Sequence, residues 1–337
     1  SSSAASDVYK RQGFILHGVF GKIEAEVMYD ANIYLLIVFA SIPFIALYNA
    51  GAAIFRAMGN SKMSMQLSMI MNAINLGGNA ILIYGLHRGV EGVAIPTLAS
   101  RVIACILMMI MLVDPRRTLH IVRPFRIHID RMLLKKILYI GIPNGLENSM
   151  FQLGKILVLS IVAGFGTSSI AANAVSNNIA MFAILPGMSV GFALLTVISQ
   201  CVGAGDYQQA KYYTRKLMKI TYLALIAINI LLMLILPLII RIYGLSHEAS
   251  TYAYKILIYH SICVVTIWPL SFTLPNTLRA SNDVKYTMVL AIISMWVFRI
   301  GFSYILGVNL KMGVFGVWVA MTIDWLFRSI AFVWRYL

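Results

Sequence analysis

Nine stretches of this chain are predominantly apolar for more than twenty residues each: 33–55, 63–86, 90–113, 137–164, 170–202, 217–243, 253–278, 284–308 and 313–337. Crossing the roughly 30 Å hydrocarbon core of a bilayer takes about 20 apolar residues in a helix. In lipid every backbone N–H and C=O must be satisfied within the segment, so runs of this length are expected to be helices. Spanning strands would instead alternate over about ten residues, and no such pattern occurs. The reading is an all-α, polytopic transmembrane helix bundle. Composition agrees: only 12% of the residues are charged, about half of what covers a soluble domain.

The net charge of +15 does not point to nucleic acid, because the cations sit in the loops between apolar runs and form no basic face. They alternate with the loops. Arg56 and Lys62, the stretch from Arg116 to Lys136, then Lys211, Arg215 and Lys216, then Arg279 and Lys285 fall on one side, while the opposite loops carry few cations. Cytoplasmic loops hold the excess of Lys and Arg, so the basic side, together with the C-terminus, is placed in the cytoplasm. Residues 1–12 are polar and Ser-rich without an apolar core, which reads as a non-native scar and not a signal peptide. Residues 14–30 read as a loop with an interfacial turn, too short to span. The division expected is 13–113, a cytoplasmic linker at 114–136, and 137–337, with three spans before the linker and six after it. Cys105, Cys201 and Cys263 lie inside apolar runs at spacings that match no metal or redox motif.

The halves repeat. Shifting by 223 positions puts Arg56, Ala57, Lys62 and Met65 on Arg279, Ala280, Lys285 and Met288, and Gly78 on Gly301. At 224 positions, Gly89-Val90-Glu91-Gly92-Val93 falls on Gly313-Val314-Phe315-Gly316-Val317. Apolar helices resemble one another by composition alone, but agreement of charged and Gly positions between helices is not forced. Both copies start on the same side, so two parallel, pseudo-twofold-related lobes are expected, with a site at the repeat interface. Six spans after the linker and three before it imply about nine spans present of an expected twelve, with earlier spans missing.

In order along the chain stand Arg56-Ala57-x-Gly59, Gly89-Val90-x-Gly92, Gly141-Ile142-Pro143 followed by Leu146-Glu147, Gln200-x-x-Gly203-Ala204-Gly205, Leu278-Arg279, and Gly313-Val314-x-Gly316-Val317-Trp318. This set resembles the multidrug and toxic compound extrusion (MATE) transporters over residues 14–337. The resemblance implies twelve helices in two six-helix lobes and, for function, an antiporter. It would export cationic or amphipathic drug-like compounds in exchange for H+ or Na+ by alternating access. It also implies the plasma (inner) membrane of a prokaryote, small-molecule organic cations or amphiphiles and the lipid bilayer as partners, a monomer, and no cofactor beyond the coupling ion. Sodium-coupled members pair an acid on the first C-lobe helix with an Asp on the fourth; here that fourth helix has no interior acid, which leaves H+ or Na+ open.

Candidate site residues follow from the cost of polar groups in lipid. Glu147, an acid inside a span after Pro143, is expected to bind a proton or cation, with a structural ion pair to Lys155 two turns on as the alternative. His260 and Asp324 are the other proton- or cation-binding candidates, Asp324 alternatively self-neutralised by Arg328 at i+4. Gln152, Asn173, Asn177, Tyr259, Asn72 and Asn75 are expected to line a substrate cavity or to bind helices together. Pro43, Pro143, Pro186, Pro237, Pro269 and Pro275 are expected to kink spans. Arg56 and Arg279 read as topology-fixing turns outside the site. Among other functions, a lipid-linked oligosaccharide flippase would need a strongly basic cavity. A membrane transferase would need clustered acids or His with a metal. No phosphate loop, nucleophile elbow or metal-ligand cluster is found, so no enzyme is expected.

Overall fold

The computed structural model describes residues 25–115, 119–121 and 130–337. The leader at 1–12 and most of the linker lie outside them. All regular structure among the described residues is helical, and it falls into two compact units that divide between His128 and Ile129.

The first unit holds α1 (Ala25–Ala57), α2 (Ser61–Ala80) and α3 (Glu91–Leu112). Helix α1 begins earlier than the apolar run predicts, so residues 25–30, expected as loop, are helical. A first turn of Ala, Glu, Val and Met has good helix propensity and needs no lipid around it. Helix α3 packs against both α1 and α2. The core is formed by Tyr48, Ala52 and Phe55 of α1, Leu67 of α2, and Ala104, Met108 and Leu112 of α3. Arg101 of α3 donates to the buried Ser41 hydroxyl of α1.

The second unit holds α4 (Arg131–Ala163), α5 (Thr167–Gly203), α6 (Tyr207–Ile242), α7 (His247–Thr266), α8 (Pro275–Ala280), α9 (Val284–Ile293), the single turn α10 (Phe302–Tyr304) and α11 (Gly313–Tyr336). Asp130 caps α4, its Oδ1 accepting from the N–H groups of Met132 and Leu133. That cap starts the helix within the expected linker, at Arg131 rather than 137. Helices α7 and α8, with the π-helical turn Pro269–Thr273 between them, make one span bent by 59°. Counting it once gives nine spans among the described residues, in the nine places that hydropathy marks. Pro43, Pro143, Pro186 and Pro237 all sit inside helices that run through them. The sharp bend occurs where Pro269 and Pro275, six residues apart, each remove a backbone donor.

Helices in lipid are held by close packing and interhelical hydrogen bonds rather than by hydrophobic burial alone. Asn229 Nδ2 donates to the Ala183 carbonyl at 3.2 Å, tying α6 to α5. The hydroxyls of Thr214 and Thr277, 3.5 Å apart, tie α6 to α8. Trp268, Trp318 and Trp325 fill the centre of the largest apolar cluster. The three cysteines are free and buried.

The backbone carries the internal repeat further than the sequence does. Gly59 (φ 76°) has its counterpart in Asn282 (φ 67°), and His87 (φ 48°) in Lys311 (φ 55°); these are the same offsets, 223 and 224. Positive φ is uncommon outside Gly, so its recurrence at matched turns is not a consequence of composition. The second helix of each copy ends in a π-helical turn, Ile81–Gly85 and Ile305–Asn309. In each copy the second glycine of the G-V-x-G motif packs on that turn. A Cβ on Gly92 would lie 3.5 Å from the Leu82 carbonyl carbon, and one on Gly316 would lie 2.8 Å from that of Leu306.

A Cβ on Gly187 would lie 2.3 Å from the ring of Trp268, which is stacked on Phe272 and is rigid. Gly187→Ala is therefore expected to destabilise the second unit by about 1–3 kcal/mol through overpacking. The check is a lowered unfolding midpoint of the purified protein in detergent. Gly77→Ala, where nothing lies within 4 Å, serves as the control.

Candidate functional site

The inner face of α4 carries Glu147, Phe151 and Lys155, one turn apart. Each meets charge. Glu147 is paired not with Lys155 but with Arg279, whose Nη2 donates to Glu147 Oε1 at 2.6 Å. Arg279 lies in α8 beyond the bend and also donates to Asn276 Oδ1 at 3.2 Å. Its expected role as a turn that only fixes topology is thereby corrected. A guanidinium at a helix end reaches several ångströms, and in a span it turns toward the available carboxylate. The matched Arg56 reaches only the Ser64 hydroxyl, at 3.5 Å, and no acid stands opposite it among the described residues. The second oxygen of Glu147, Oε2, is buried and accepts no hydrogen bond.

One turn along, Phe151 is a platform for cations. The guanidinium carbons of Arg299 and Arg328 lie 5.3 and 5.7 Å from its ring centroid, and Lys155 Nζ lies 5.1 Å from it. Arg328 also stacks on Phe272 of the bent span, at 4.8 Å. Such contacts strengthen where water is excluded.

Asp324 of α11 is fully buried. Its Oδ1 accepts from Arg328 Nε at 3.2 Å and from the Ser294 hydroxyl, and its Oδ2 is 3.7 Å from Arg299 Nη1. The i,i+4 pair read from the sequence is therefore present but incomplete, because Arg299 joins it from another helix. Ser294 and Arg299 both come from a π-helical stretch, Ser294–Gly301, that follows α9. The matched stretch of α2 in the first unit is α-helical. Wide turns of this kind cluster at functional sites, and this one aims two residues at one carboxylate. Two acids are thus paired with three arginines, Glu147 with Arg279 and Asp324 with Arg299 and Arg328, while Lys155 rests on the Phe151 ring.

The other expected residues scatter. His260 is buried edge-on between Trp318 and Trp325, with Nδ1 unpartnered. Tyr259 shares a hydrogen bond with Thr322 and packs on Phe315. Asn173 is buried and accepts from Trp318 Nε1 at 3.1 Å, joining α5 to α11. Asn75 donates to Thr97 at 3.1 Å, joining α2 to α3. Asn72, Gln152 and Asn177 are exposed, and Asn177 donates to the Asn173 carbonyl. No cluster of His, Cys, Asp and Glu suited to a metal occurs among the described residues.

The fold and this network can now be set beside known proteins. The MatE family matches residues 14–81 and 143–305. The uncharacterized transporter YisQ of Bacillus subtilis (strain 168) is 30% identical over 311 residues, covering 90% of this chain and 67% of that protein. The chain belongs to the MATE transporter family. The probable multidrug resistance protein YoeA of the same organism is 27% identical, covering 94% of this chain and 71% of its own length. An outward-facing multidrug resistance MATE family transporter of the MOP superfamily superposes with a TM-score of 0.85 at 23% identity, over 93% of this chain and 70% of that one. This is therefore a multi-pass membrane transporter of the MATE fold.

Removing one partner of a buried ion pair costs about 3–5 kcal/mol, because the other charge is left uncompensated. Asp324→Asn strands two guanidiniums and is expected to lower the unfolding midpoint in detergent sharply. Asp324→Asn combined with Arg328→Met restores part of the loss. A single variant that melts with the parent removes the network from the fold's stability.

Proposed function

We propose that the protein is a secondary active efflux transporter. It would export cationic or amphipathic drug-like compounds in exchange for H+ or Na+ by alternating access, in a prokaryotic inner membrane. The observation that carries this reading is the half-satisfied carboxylate of Glu147, with one oxygen held by Arg279 at 2.6 Å and the other buried and unpartnered. A proton or a small cation taken up on the second oxygen competes with Arg279 for the same charge. Because Arg279 sits on the short helix beyond the 59° bend, releasing it changes what holds that segment against α4. A coupling ion drives a conformational change only by binding the two states differently. An ion that substitutes for an internal partner does so by construction. His260, enclosed by two tryptophans, has no comparable exchange partner among the described residues. Asp324 is held by two arginines and serves better as the fixed anchor of the network.

A second reading is favoured by one observation, the pairing of three arginines (Arg279, Arg299 and Arg328) with two acids, beside Lys155 on the Phe151 ring. That excess of positive charge suits an anionic amphiphile, and a lipid-linked oligosaccharide carrying pyrophosphate is the extreme case.

The test is efflux from proteoliposomes of the purified protein under a pH gradient or a Na+ gradient applied separately. A cationic dye and an anionic dye are used in parallel. Glu147→Gln is expected to reduce gradient-driven efflux to the background of protein-free vesicles while membrane insertion is unchanged. Full efflux by that variant excludes Glu147 from coupling, and efflux of the anionic dye alone selects the second reading.

A further inference from the structure

Away from the Phe151 network, an open cavity of about 460 Å³ lies where the start of α4 meets the start of α9. Arg131 and Lys135 of α4 and Lys285 of α9 line it, with Leu138, Tyr139 and Ile142 among its apolar walls. No acid lines it. The acids next to these cations are already engaged. Asp130 caps α4 by accepting from Met132 and Leu133, and Asp283 accepts from Arg335 at 2.7 Å. Three exposed cations thus face one cavity without an internal counter-charge.

The order of residues along α4 matters as much as the charge. Arg131, Lys135, Leu138 with Tyr139, and Ile142 follow one another at helical spacing on one stripe. Charge therefore comes first and the apolar wall follows toward the middle of the span. At 1.5 Å per residue the 33 residues of α4 extend about 50 Å, well beyond a hydrocarbon core of roughly 30 Å. The first turns therefore fall at headgroup level. Lys285 Nζ is held 4.8 Å from the Tyr139 ring centroid, which fixes the third cation over the apolar wall. A cavity that is cationic at headgroup level and apolar below it has the polarity of an anionic amphiphile lying along the helix. Basic pockets between spans on the cytoplasmic side take anionic headgroups, and the loop charges place this end of α4 in the cytoplasm.

We propose that this groove binds an anionic phospholipid from the cytoplasmic leaflet, with Arg131, Lys135 and Lys285 around its phosphate and its acyl chains along Leu138 and Ile142. The site is separate from the transport network and needs neither Glu147 nor Asp324.

The experiment compares lipid retention by the purified full chain, read by native mass spectrometry. The probes are phosphatidylglycerol and phosphatidylcholine with identical acyl chains, with inorganic phosphate as competitor. Each cation contributes about fivefold to anionic-lipid affinity near a membrane surface. Arg131→Gln/Lys135→Gln/Lys285→Gln is then expected to lower phosphatidylglycerol retention on the order of a hundredfold, to the level of phosphatidylcholine. A control triple on α6, Arg215→Gln/Lys216→Gln/Lys219→Gln, is expected to retain the preference. If the groove triple does not fold, Lys135→Gln and Lys285→Gln are read singly, each with about a fivefold loss. Equal retention of the two lipids by the unsubstituted chain overturns the proposal. So does an undiminished preference in the groove variants, or displacement of the lipid by millimolar phosphate, which would mark a free-anion site.

Discussion

A carboxylate or guanidinium inside a hydrocarbon slab must find its counter-charge within the protein, and the second unit is arranged around that requirement. Asp324 has no exposed surface, yet it is met by Arg328 on its own helix, Arg299 from the π-helical stretch and the Ser294 hydroxyl. Those contacts determine which face of α11 turns inward and where the widened turns after α9 must fall. Phe151 then stands between the two arginines and Lys155, so that α4 joins the network through its ring rather than through a further ion pair. Trp325 of the apolar cluster lies on the same helix as Asp324 and Arg328, and where such charges are buried their electrostatic contacts are stronger than in water.

The duplicated hairpins show how one backbone plan serves two chemistries. Both copies share the positive-φ turns at 59 and 282 and at 87 and 311, the terminal π turn, and the glycine packed on it. They differ in what their arginines meet: Arg56 touches a serine, whereas Arg279 holds Glu147. They differ also in the π-helical stretch at Ser294–Gly301, which has an α-helical counterpart in the first copy. The conserved plan builds a span pair, and the departures from it build the charged network.

The bent span joins the charged network to the tryptophan cluster. Its first part, α7, carries His260 into the tryptophan cluster, and its second, α8, carries Arg279 to Glu147. Phe272, in the π turn at the bend, stacks against Trp268 and under Arg328. The bend is thus in contact with the Asp324 side of the charged strip through Arg328. Helix breaks in transporters are tolerated where neighbouring side chains re-satisfy the freed backbone groups. Here the Ser329 hydroxyl donates to the Ile267 carbonyl at 3.1 Å and the Tyr222 hydroxyl to the Thr266 carbonyl.

The sequence by itself determined the class, the places of the nine spans and the duplication. Hydropathy over twenty residues is a local quantity, and the exclusion of unpaired backbone from lipid leaves only the helix. It also singled out Glu147 and Asp324, because a carboxylate in an apolar run is conspicuous wherever it points. It did not reveal that Arg279 partners Glu147 across 132 residues, or that Arg299 completes the Asp324 site. For Asn173 and Asn75 the sequence left cavity lining and helix binding both open, and in the structure each hydrogen-bonds a neighbouring helix, while Asn72, Gln152 and Asn177 are exposed. These matters were decided by tertiary structure. The partner of a buried charge is set by which helix faces meet and how each is rotated, and that depends on packing among elements far apart in the chain.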